Sequence, residues 1–128
     1  MEPNPYLVAS SLTFIIPTTL AAYNQQWLHY SILLNLMLMS SLYHATKNIT
    51  LFYLDQVACF ALTASTIRLS LINNHYTVPI TTIGYTIGTY YGGYMYNTFI
   101  WSPDKSVATF YHVIMHIVIN FAVSYVIT

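Results

Sequence analysis

The sequence predicts an all-α fold, a polytopic bundle of about five transmembrane helices joined by short loops. Three observations carry that reading. Hydrophobic residues make up 56% of the chain and charged residues only 5%, where a soluble domain carries about 25% charged residues. Apolar runs of the roughly 20 residues that a helix needs to cross a hydrocarbon core of about 30 Å recur along the chain. Short polar breaks separate these runs, so sequential helices should lie antiparallel as neighbours in a single transmembrane domain spanning residues 1–128. Eight spanning strands with their turns would barely fit the same length.

The first run extends from about Tyr6 to Tyr23, opened by Pro3-Asn4-Pro5, with a kink expected at Pro17 and a close at Asn24-Gln25-Gln26. It lacks a basic leader and reads as a retained span, not a cleaved signal peptide. The second runs from Trp27 to about Ala45 and stops at Lys47-Asn48, and the third from Ile49 to Ile72 before the Asn73-Asn74-His75 turn. The fourth, Thr77 to about Trp101, is the most polar in content and holds every glycine of the chain. Gly84, Gly88 and Gly92 recur every four residues as a flat strip. Close packing inside the bundle is the first expectation for it, and a homodimer face the second. Ser102-Pro103-Asp104 reads as a helix start with Ser102 as N-cap, and the fifth helix follows from about Lys105 to Ile127. Lys47 and Lys105 fall on the side of the N-terminus and Arg68 near the other, which by the positive-inside rule favours a cytosolic N-terminus.

Charge and cysteine usage narrow the function classes. Three Lys+Arg against three Asp+Glu give a formal net charge of zero, so no basic patch exists to neutralise phosphates and a nucleic-acid partner is excluded. The aromatic share of 16% argues against disorder. Cys59 is the one cysteine, which rules out a disulfide framework and a thiolate metal cluster.

The informative residues are those a membrane should not contain. Asp55 falls early in the third helix, where an ionised carboxylate costs roughly 2.5 to 3.5 kcal/mol. Arg68 is 13 residues along the same helix, about 20 Å away at 1.5 Å per residue, and reaches the far interface instead. The fifth helix presents His112 and His116 on one face, four residues apart, and the second presents Ser40 and His44 with the same spacing. That spacing suits two ligands of one metal, although two hydrogen-bonded bundle histidines would share it. Depth separates the readings: even helices run toward the N-terminal side and odd ones away, so Ser40, His44, Asp55, His112 and His116 fall near one membrane face. His29 and His75 fall near the other.

Three imidazoles, a carboxylate and a hydroxyl make a chemically complete set. Catalytic Zn²⁺ commonly takes three protein ligands and lowers the pKa of a coordinated water to about 7. Asp55 can serve as general base and then return the proton to a leaving group. Ser40 can donate a hydrogen bond to a developing oxyanion.

Ser40-x-x-x-His44, Asp55 eleven residues later and His112-x-x-x-His116 in the last helix resemble the membrane hydrolase superfamily that includes alkaline ceramidases, adiponectin receptors and lipid-remodelling proteins. The resemblance implies that His44, His112 and His116 bind zinc, and that Asp55 and Ser40 engage water and the substrate carbonyl. Those proteins carry two further spans, so this chain reads as a shortened, divergent member. The leading expectation is a zinc-dependent intramembrane hydrolase that cleaves an amide or ester bond of a membrane lipid. A non-enzymatic bundle with a structural polar or metal site, such as a complex subunit, a receptor-like protein or a viral membrane component, is the alternative. Haem ligation, which His29 and His75 keep open, ranks behind it.

Overall fold

The computed structural model describes residues 3–127, and among them every regular element is helical. Helices α1 (Pro5–Leu12) and α2 (Ile15–Tyr23) share the first apolar run. Asn4 starts α1: its side-chain oxygen accepts from the N–H groups of Tyr6 and Leu7, and Pro5 takes the first helical position. Pro17 offers no N–H to the Thr13 carbonyl and its ring crowds that carbonyl. The helix therefore breaks one turn before the proline, where Phe14 N–H bonds to the Ser11 carbonyl at 3.2 Å and Ile16 N–H to the Thr13 carbonyl at 3.1 Å.

Helix α3 (Trp27–Thr46) turns tightly into α4 (Ile49–Asn73). Lys47 sits in the left-handed region at φ 55°, and Asn48 caps α4 by accepting from the N–H groups of Thr50 and Leu51. The two helices then pack along each other as an antiparallel hairpin. Asn74, at φ 57°, ends α4 in the same left-handed way.

The fourth apolar run is broken. It folds as α5 (Thr77–Thr86), a π-helical turn (Ile87–Gly92), α6 (Gly93–Tyr96) and a 3₁₀ turn (Phe99–Trp101). A single helix to Trp101 was the expectation; adjacent glycines, weak helix formers, and Asn97 at φ 52° end it at Tyr96 instead. The chain reverses so closely that a Cβ on Gly93 would lie 2.6 Å from the Thr98 carbonyl oxygen. Trp101 consequently folds back onto the rings of Tyr90 and Tyr94, at 5.5 and 5.1 Å.

The glycine strip does not pack inside the bundle. A Cβ on Gly84 or Gly88 would meet nothing within 4 Å, and one on Gly92 only the Ile87 carbonyl at 4.0 Å. Helix α5 packs on α7 and buries Pro79 and Thr82, and the π turn buries Thr89; the wider π turn also breaks the four-residue register that would have aligned the strip.

Helix α7 (Lys105–Ile127) matches the expected span, with a different cap. Asp104, not Ser102, holds the first turn: its carboxylate accepts from Ser106 N–H at 2.9 Å and Val107 N–H at 3.4 Å, while Ser102 Oγ accepts from Asp104 N–H. A carboxylate there also meets the positive end of the helix dipole.

Helix α3 is central, packed by α1, α2 and α4, and α7 closes the bundle against α1, α2, α4 and α5. Phe14, Leu33, Leu36, Leu62, Leu69, Val123 and Val126 form the shared core. The outer surface is equally apolar: Val57, Phe60 and Phe121 are largely exposed, the inside-out pattern of a chain whose surroundings are hydrocarbon. Three segments, Pro5–Tyr23, Ile49–Asn73 and Lys105–Ile127, are long and apolar enough to cross a membrane, consistent with an integral membrane protein. The two remaining runs fall short for physical reasons. Helix α3 has the length but carries His29, Ser40, Ser41 and His44, and the fourth run is interrupted.

Candidate metal centre

The end of the bundle that holds the α3–α4 turn gathers the polar residues. His44 lies in the last turn of α3, and His112 and His116 on successive turns of α7. One ring nitrogen from each residue lies within 4.8 Å of the other two. Ring centroids are 4.9 Å apart for His44 and His112, 4.8 Å for His112 and His116, and 5.7 Å for His44 and His116. A tetrahedral zinc ion with Zn–N bonds of about 2.05 Å sets its nitrogens about 3.4 Å apart, so a contraction of up to about 1.4 Å would close this cluster around one ion.

The outer edges of two of these rings are already engaged. Lys47 Nζ donates to His44 Nδ1 at 2.9 Å, and Ser10 Oγ meets His116 Nδ1 at 2.7 Å. Phe14 stands edge-on to His116 at 5.7 Å, and the His116 carbonyl accepts from Asn120 Nδ2 at 2.8 Å. Lys47 leaves the α3–α4 turn with its ammonium 4.7 Å above the Tyr43 ring. Its burial holds its pKa below the ordinary lysine value, and the nearby Asp55 carboxylate acts against that shift.

Ser40, one turn before His44, joins the second part of the cluster. Its hydroxyl and the Gln56 side chain lie near the Asp55 carboxylate, and Ser11 Oγ lies 2.9 Å from Ser40 Oγ. Each hydroxyl has one proton. Ser11 gives its own to the Leu7 carbonyl at 2.8 Å, so Ser40 donates to Ser11 and the chain runs Ser40 to Ser11 to the Leu7 carbonyl. The Asp55 carboxylate oxygen Oδ1 is buried without a partner.

Every residue expected at this end is therefore there. His44, His112 and His116 converge, and Ser40 lies near the Asp55 carboxylate. His29 and His75 lie at the opposite end, the first on Ser65 and the second against the Tyr125 ring at 4.8 Å. Arg68 is exposed toward that far end. Comparison of the chain with family models, with curated proteins and with solved structures finds no match. The site thus stands on its own geometry.

Among the side chains outside the expected set that touch it are Ser10, Ser11 and Lys47. The adjacent serines were visible as a polar interruption of the first apolar run. Nothing in that run ties them to a histidine one hundred residues away, since the contact depends on where the Pro17 break places the last turn of α1. Three imidazoles beside a carboxylate with an unpartnered buried oxygen are a donor set that suits zinc, but His44, whose Nδ1 accepts from Lys47, carries its proton on Nε2 and would have to give it up or turn its ring to ligate.

Proposed function

We propose that the chain is a zinc-dependent intramembrane hydrolase that cleaves an amide or ester bond of a membrane lipid. The convergence of His44, His112 and His116 within 4.8 Å, at the end of the bundle that also buries Ser40 and Asp55, carries the reading. A bound zinc ion supplies Lewis acidity and a positive charge that offsets the buried carboxylate. Asp55 takes a proton from the attacking water as its oxygen adds to the carbonyl carbon. Ser40 donates toward the developing oxyanion, and Asp55 delivers the proton to the leaving amine or alkoxide as the C–N or C–O bond breaks. The resemblance to the ceramidase and adiponectin-receptor superfamily, carried by these five positions, points the same way.

The substrate would enter laterally from the bilayer. All five apolar runs cross the membrane in this reading, with the polar residues His29, Ser40 and His44 of α3 turned into the bundle and shielded by α1, α2 and α4, and the N-terminus on the cytosolic side.

Metal analysis of protein purified in detergent without chelator tests the first half, with about one zinc per chain expected. Hydrolysis of amide-linked and ester-linked lipids in vesicles tests the second. Zinc without hydrolysis would leave a structural metal site in a non-enzymatic bundle, and a Soret band would replace zinc by haem. Absence of any metal overturns the proposal.

A further inference from the structure

Helix α1 and its cap residue Asn4 make more polar contacts with the candidate site than any expectation assigned to them. At its N-terminal end, Asn4 N–H donates to the His44 carbonyl at 2.9 Å, and Asn4 Nδ2 donates to Thr109 Oγ1 at 2.9 Å, three residues before His112. At its C-terminal end, Ser10 meets His116 and Ser11 meets Ser40. Helix α1 is thus tied at both ends to the two helices that carry the histidines.

The Ser10 contact has a defined direction. Its hydroxyl proton goes to the Leu7 carbonyl at 3.1 Å, which leaves its oxygen to accept from His116. His116 must then carry its proton on Nδ1, and Nε2 keeps a lone pair. Ser10 is buried, 6% exposed, and His116 is 5% exposed, so no bulk water can replace this partner. An imidazole fixed in that tautomer is ready to ligate through Nε2 without first losing a proton.

We propose that Ser10 is a positioning residue of the metal centre, which fixes the tautomer and ring orientation of His116 from outside the ligand set. The inference rests on the metal reading given above and adds to it an outer partner from the first helix. Its position follows from Pro17, which ends α1 directly after the serine pair.

The test uses the full chain in detergent with Zn²⁺ alone and Co²⁺ alone as probes. Ser10→Ala should weaken Zn²⁺ binding about 10- to 100-fold, the usual cost of losing an outer-shell partner, and change the Co²⁺ ligand-field bands. Ser10→Thr, which keeps the hydroxyl, should restore both. Ser31→Ala removes a comparable hydroxyl-to-carbonyl bond on the exposed face of α3 and should leave both unchanged. A merely structural role would lower thermal stability while the folded chain kept its Zn²⁺ affinity and Co²⁺ spectrum, and that result overturns the proposal. If Ser10→Ala does not fold, Ser10→Cys, a near isostere whose sulfur is a weak acceptor, must show the same loss. Failure of the wild-type chain to take up either ion would remove the metal reading itself, a result distinct from wild-type uptake that Ser10→Ala matches.

Discussion

The two ends of the bundle both bury histidine, and they do so to different effect. At the far end His29 stands alone on α3, 2% exposed, with Nδ1 2.6 Å from Ser65 Oγ on α4 and Nε2 buried without a partner. At the near end three rings from two helices turn toward one another, and Ser10 and Lys47 engage the outer nitrogens of two of them. One ring against one hydroxyl is interhelical glue. Three imidazoles with a ring nitrogen each within 4.8 Å of the others could hold a metal ion. A buried carboxylate accompanies only the second arrangement among the described residues.

The comparison breaks most severely if Asp55 proves dispensable. Asp55→Asn keeps the shape but removes the base, so lipid hydrolysis should fall about 10²- to 10⁴-fold while one zinc per chain is retained. Rate measurements on vesicles paired with metal analysis check this. Loss of zinc together with activity would make Asp55 a ligand.

Substitution of the rings gives the next largest contrast. His116→Ala or His112→Ala removes a ligand and should weaken zinc by more than about 100-fold, beyond the cost of losing an outer partner. His29→Ala should leave zinc affinity unchanged and lower only thermal stability. Competition against a chelator of known affinity reads both, and zinc loss in His29→Ala would erase the distinction between the ends.

Much of this partition was legible in the sequence because helix parity and depth need only the order of the runs and 1.5 Å per residue. The parity argument placed Ser40, His44, Asp55, His112 and His116 together and set His29 and His75 apart, and the bundle arranges them so. Contacts that depend on local breaks were not legible. The π turn at Ile87–Gly92 and the reversal at Gly93 split a run that reads as one helix, and they left Gly84 and Gly88 facing outward. Ser10 and Ser11 escaped for a related reason: their direction is set by the Pro17 break, whose effect on the preceding turn no periodicity records. Asp104 outcompetes Ser102 as cap because a carboxylate gains from the helix dipole as well as from the N–H groups.

Ion binding should also stabilise the two ends unequally. A ligand that binds only the folded chain at about 100 times its Kd adds about 2.7 kcal/mol, so zinc should raise the Tm of the wild-type protein and not that of His116→Ala. Hydrogen exchange should show the added protection concentrated in α1, the end of α3 and the start of α7. Protection spread evenly to Ser65 and His29 would mean that the ends are one cooperative unit and that the contrast between them is not energetic.

The smallest expected effect lies wholly at the far end. Ser65→Ala takes away the one partner of His29 and leaves both ring nitrogens buried and unsatisfied, at a cost of about 1–2 kcal/mol. Removing the ring as well should recover part of that loss, because Ser65→Ala with His29→Leu replaces an unpaired polar group by an apolar one of similar bulk beside Leu33 and Leu62, both in the adjoining core. A double-mutant cycle on thermal or denaturant stability measures the difference, with zinc affinity unchanged in all three variants. If the double variant is instead less stable than Ser65→Ala alone, His29 has a favourable partner other than Ser65, and its role at that end is more than glue.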